Sequence, residues 1–109
     1  DNQNAIKYLE KFSSDDVIFS SMVKANLGDA YMQQGDFKKA SSYYQKATTG
    51  TTNMVTTPMI LMKAGLAFEK ANDYKNALSM YERIEKEFPA SMEAAEIEKY
   101  ITRAKLSMK

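Results

Sequence analysis

Three places in the chain bring together side chains that could do chemistry. Asp15 and Asp16 are adjacent carboxylates that could supply half of a metal site. Glu93 and Glu96, one helical turn apart, could hold a cation, and Ser41-Ser42 beside Lys38-Lys39 has the residue types of a serine–lysine dyad. Each pattern has a simpler reading. Paired acids after Ser13-Ser14 suit the cap and first turn of a helix, where free N–H groups and the helix dipole favour oxygen and negative charge. Glu93 and Glu96 share a run with Glu98, Lys99, Arg103 and Lys105 that reads as a solvated helix face. A serine nucleophile needs an oriented base and donors for the oxyanion, and nothing in the sequence supplies them near Ser41 or Ser42. With no cysteine and no histidine, thiolate chemistry, disulfides, the commonest general base and the commonest metal ligand are all missing. The chain is therefore expected to be no enzyme and to carry no metal or cofactor.

Charge and composition point the same way. Lysine and arginine (15) nearly balance aspartate and glutamate (14) over 109 residues, so no net field draws nucleic acid or an anionic bilayer. The tyrosines Tyr31, Tyr43, Tyr44, Tyr74 and Tyr81 recur at packing intervals with no basic stripe beside them. Apolar residues at 44% and charged ones at 27% are ordinary for a single folded domain. No apolar run approaches the roughly 20 residues needed to cross a bilayer. The opening Asp1-Asn2-Gln3 leads straight into a helical pattern, and the chain is expected to be a piece of a longer protein with any anchor or leader upstream.

Helical periodicity covers almost everything. Ala5, Ile6, Leu9 and Phe12 are spaced as one helix face. A helix from about 16 to 34 follows, closed by Gly35; Asp36 caps a return helix from Phe37 to about Thr48. The short turn between them makes the two helices antiparallel neighbours. A threonine-rich connector, 48–57, disfavours helix. Thr57 is expected to cap the next helix, with Pro58 at its first position and Ala71 at its end. Asn72-Asp73 turns and caps, Tyr74 to Phe88 returns, and Pro89 stops it. Ser91 is expected to cap a last helix to about Met108, packing Ala94, Ala95, Ile97, Ile101, Ala104 and Leu106.

The two hairpins are copies at an offset of 37 residues: Leu27 and Ala64, Gly28 and Gly65, Tyr31 and Phe68, Ala40 and Ala77, Tyr44 and Tyr81, Ala47 and Ile84. Glycine inside a helix costs about 1 kcal/mol relative to alanine, so close approach of a neighbour must compensate. The expectation is that Gly28 and Gly65 admit the return helix, with Ala40 and Ala77 facing them and the aromatic residues filling the space on either side.

This spacing, Gly-x2-Tyr/Phe then Ala-x3-Tyr, with Pro89 eight residues after Tyr81, resembles the tetratricopeptide repeat. The resemblance implies an all-α, antiparallel helix-hairpin solenoid of about six helices. It comprises half a repeat (1–13), two full repeats (15–50 and 57–89) and a C-terminal capping helix (91–108). Two departures stand out: Lys24 and Leu61 occupy the slot, four before each glycine, that is often aromatic, and the first repeat has about three extra connector residues in place of a closing proline. The junction Tyr81 to Ser91, ending Phe88-Pro89-Ala90-Ser91, is similar to that of bacterial envelope proteins of the YfgM-like, YbgF-like and BamD-like kinds. That likeness implies a periplasmic or membrane-anchored location and a role in secretion, folding or envelope assembly.

The resemblance further implies a protein or peptide partner on the concave face lined by the first helix of each repeat. Counting from the glycines places Met22, Ala25, Asp29, Met32 and Gln33 there, with Met59, Met62, Leu66, Glu69 and Lys70. The Lys, Asn and Arg that would clamp a peptide carboxylate are replaced by Ala25, Asp29, Met62 and Leu66. Four methionines beside a leucine instead make a soft apolar groove suited to varied chains. The alternative is a structural oligomerisation element that self-associates through its N-terminal helix, with the methionines covered.

Overall fold

The computed structural model describes residues 2–10, 17–50 and 52–109, and only the backbone of residues 17–19. The described residues form α1 (Asn2–Glu10), α2 (Val17–Gln34), α3 (Phe37–Ala47), α4 (Thr56–Lys70), α5 (Tyr74–Glu87) and α6 (Ile97–Ser107), with a 3₁₀ turn, Glu93–Glu96, before α6. Each helix packs chiefly on its neighbours in sequence. The result is the expected all-α hairpin solenoid, in which stacked units share one continuous core.

The turns show why the hairpins form. After α2, Gly35 takes a left-handed φ of 80°, and after α4 Asn72 does the same at 62°; asparagine is one of the few residues with a side chain that tolerates this region. The next residue then closes each turn in the same way. Asp36 N–H donates to the Tyr31 carbonyl at 3.0 Å, and Asp73 N–H to the Phe68 carbonyl at 2.8 Å. Both aspartates cap as expected: Asp36 Oδ1 accepts the Lys39 N–H and Asp73 Oδ1 the Asn76 N–H, each at 3.2 Å.

The start of α4 differs from expectation. Thr57 is not the cap. Asn53 Oδ1 accepts the N–H groups of both Val55 and Thr56 at 2.9 Å, while Thr57 Oγ1 accepts the N–H of Asn53 at 2.8 Å. An asparagine side chain mimicking a backbone turn thus begins the helix at Thr56, two residues early, and Pro58 lies inside the first turn, where a missing N–H still costs nothing.

The ends also depart from the expected packing. Ser91 Oγ does accept the Ala94 N–H at 3.1 Å, but the turn it opens is 3₁₀, and the α-helix begins only at Ile97. Ile97, Ile101 and Ala104 form the buried stripe, leaving Ala95 and Leu106 exposed and Ala94 half-buried. The four- and three-residue spacing of that stripe uses a single face, which neither exposed residue shares. In α1, Ile6 is buried and Leu9 half-buried, whereas Ala5 is exposed. Phe12, Ser13, Ser14, Asp15 and Asp16 lie outside the described residues.

The glycines carry the main correction. A Cβ on Gly28 would lie 2.5 Å from Cε1 of Tyr44, and one on Gly65 would come closer still to the Tyr81 ring. An aromatic ring, rather than backbone or the buried Ala40 and Ala77, fills the space each glycine vacates. Both rings are buried, Tyr81 completely. Gly65→Ala is therefore expected to lose about 1–3 kcal/mol in urea unfolding, despite better helix propensity. In a Tyr81→Leu background the loss should shrink. Equal losses in both backgrounds would show that the ring is not the obstacle.

Candidate binding face

From each ring a polar chain runs across the face shared by the first helices of the hairpins. Tyr44 on α3 donates its phenol to Asp29 of α2 at 2.5 Å, and Asp29 pairs with Lys63 of α4 at 3.0 Å. In the second hairpin the Tyr81 phenol donates to Glu69 of α4, which accepts from Arg103 of α6 at 2.9 and 2.7 Å. Arg103 also lies over the Tyr100 ring, 4.9 Å from its centroid. The two chains differ in strength. Asp29 and Lys63 are each about 40% exposed, so that pair contributes less than about 1 kcal/mol. Glu69 is 13% exposed and gripped by a two-pronged guanidinium, the stronger, directional form.

The structure brings only some of the predicted residues to these chains, and Met22 lines a separate pocket at the connector. Met22, Met59 and Gln33 are exposed, while Ala25, Asp29, Met32, Met62, Leu66 and Glu69 are half-buried, Ala25, Met32 and Met62 packing against the core. A groove of about 340 Å³ between α2 and α4 is lined by Asp29, Met32, Gln33, Tyr44, Lys63 and Leu66. The methionines are thus neither all open nor all covered. Lys70 stands apart, its ammonium 5.4 Å from the Phe37 ring centre. Lys63 and Arg103 were not among the expected residues. Lys63 was within reach of the sequence pattern, one residue after Met62 and three before Leu66 on the same helical face.

Family models described as tetratricopeptide repeat match residues 22–49 and 60–91, one for each hairpin. This chain belongs to the tetratricopeptide repeat family. Its repeats indicate a protein–protein interaction module, and they are a non-catalytic interaction motif. No curated protein matches the chain. No helix among the described residues is long and apolar enough to cross a membrane.

The other chemical candidates of this tetratricopeptide protein are used locally. Ser41 is buried and donates to the carbonyl of Lys38 at 2.9 Å, one turn back in its own helix. Glu96 pairs with Lys99 at 3.6 Å. Tyr31 and Tyr43 stack at 5.5 Å, and Tyr74 donates to Asn72 at 2.9 Å.

Burial raises the Tyr44 and Tyr81 phenols far above the ordinary value, and the hydrogen bonds to Asp29 and Glu69 raise them further. The unfolded chain releases these protons near pH 10 while the folded chain keeps them. Their contribution is therefore fully present below about pH 10 and lost as pH rises above it. Denaturant midpoints of the wild type should fall between about pH 9 and pH 11, and Tyr44→Phe/Tyr81→Phe should fall less. Parallel declines would assign the loss to other groups.

Proposed function

We propose that this module binds extended apolar stretches of other proteins along the face shared by α2 and α4, in a chaperone-like or assembly role. The observation that carries this is the composition of one helix face. Met32 and Leu66, both half-exposed, line the α2–α4 groove beside Lys63, which is paired with Asp29; Met62 is half-exposed on α4, and Met22 and Met59 are exposed toward the N-terminal ends of α2 and α4. Thioether side chains adapt to different partner shapes without a fixed rotamer demand. A carboxylate-ended peptide would have to pull Lys63 from Asp29, whereas an apolar internal stretch leaves the pair intact.

The expected affinity is low. Three methionines at roughly 1.5–3 kcal/mol each give about 5–9 kcal/mol gross, and association and ordering take back at least about 4 kcal/mol. Contacts of that strength form and release quickly, as a protein handling many unfolded clients requires. A place in the bacterial envelope, facing the periplasm, fits this role and the Tyr81–Ser91 junction. The second reading, self-association through α1, draws on the exposure of Ala5 and Tyr8 on that helix. Light scattering separates the two readings, since only the second expects a stable dimer that Tyr8→Asp dissolves.

Titrating amphipathic peptides into isotope-labelled protein is expected to shift the backbone signals of Met22, Met32, Met59 and Met62. Leu66→Glu, checked for folding by circular dichroism, should weaken binding about tenfold. Shifts confined to α6 would place the partner elsewhere.

A further inference from the structure

Among the described residues, half of the large apolar side chains standing exposed lie on or beside the connector between the hairpins: Met22 (63%), Met54 (66%), Val55 (76%) and Met59. Met54 and Val55 form the tip of the threonine-rich connector, which the sequence pattern treats only as an insertion between repeats. Met59 follows Thr56 by one helical turn. Beside them a pocket of about 260 Å³ is lined by Ser21, Met22, Thr52, Asn53, Thr56, Thr57 and Ile60.

The tip is firmly built. Asn53 Oδ1 holds the N–H groups of Val55 and Thr56, Thr57 Oγ1 holds that of Asn53, and the Thr57 N–H returns to the Asn53 carbonyl at 3.0 Å. This network holds the N–H groups of Asn53, Val55, Thr56 and Thr57 and leaves the side chains of Met54 and Val55 exposed. The ordering entropy of the tip is therefore met within the fold rather than on binding. On the other side of the pocket, Ser21 Oγ donates to the Ala47 carbonyl at 2.5 Å, which ties α2 to the end of α3.

Charge decides what fits. From Ala47 through Met62 no residue is charged, and none of the pocket-lining residues is charged. A charged side chain entering that pocket would lose water and find no counter-ion among the residues that line it. We propose that this rim is a docking surface for an uncharged, apolar segment of a partner protein, one of whose large side chains enters the pocket between Met22 and Ile60. The inference rests on the peptide-binding reading and extends it, because the segment would run from the connector tip onto the face of α2 and α4. The extra connector residues then serve to present the tip.

The test uses methyl-labelled methionines in the full chain and a capped synthetic peptide of serine, threonine and glycine flanking a Leu-Leu pair. A control peptide carries Asp-Asp in place of the leucines. The leucine peptide is expected to shift the methyl signals of Met22, Met54 and Met59 and to leave Met92 and Met108 in place. Val55→Asp, at an exposed position whose side chain makes no hydrogen bond, should weaken binding about tenfold. Equal shifts at Met92 and Met108, equal binding of the control peptide, or no effect of Val55→Asp overturns the proposal. Loss of binding in Leu66→Glu with none in Val55→Asp keeps the α2–α4 face and rejects the rim; the reverse keeps the rim alone. Shifts of the same methyls on concentrating the protein without peptide would assign the patch to a second copy, and shifts with phosphatidylcholine vesicles would assign it to lipid. Either result would overturn a protein segment as the occupant.

Discussion

A tyrosine ring lying on a glycine is the contact on which the rest of this molecule depends. At Gly28 and Gly65 the helix has no side chain, and the rings of Tyr44 and Tyr81 occupy the space. Each ring spans the hairpin, so the return helix can neither slide nor rotate without driving the ring into the glycine backbone. The same placement sends the phenol to the first helix of its own hairpin, where Asp29 or Glu69 accepts it. Each carboxylate then engages a cation from the next first helix or from α6. A packing contact inside one hairpin is thereby continued as a polar contact between hairpins.

This arrangement shapes what the exposed face can offer. Lys63 and Arg103 are engaged within the fold, so the face presents paired charge, methionine and leucine rather than free cations. Such a surface gains little from a charged ligand and something from an apolar one. The character changes along α4: residues 47–62 carry no charge, Lys63 holds the exposed pair with Asp29, and Glu69 near the C-terminal end holds the tighter pair with Arg103. A partner chain of uniform polarity would not match all three zones.

Much of the scaffold was legible in the sequence because it depends on local patterns. The duplicated Gly-x2-aromatic spacing, the turn residues Gly35 and Asn72 and the caps Asp36 and Asp73 each act within a few residues of themselves. What the sequence concealed was set by distance or by competition. The partner of each glycine lies 16 residues away in another helix, so spacing showed that room was needed but not which group filled it. Asn53 competed with Thr57 for the role of cap, and the threonine run obscured it. The pairings of Lys63 with Asp29 and Arg103 with Glu69 span 34 residues each and emerge only once helices are stacked. Leu106 lies off the one face that α6 buries, and Ala95 falls in the 3₁₀ turn before that helix begins.

The most direct test of the binding face is paramagnetic relaxation. A nitroxide attached to an uncharged, leucine-containing peptide broadens the signals of whatever residues it approaches, even in a weak and short-lived complex. The account predicts the strongest broadening at Met22, Met32, Met62 and Leu66, fading toward the outer side of α5. Broadening centred on α1 or on the outer side of α6, with the α2–α4 face unaffected, would contradict it.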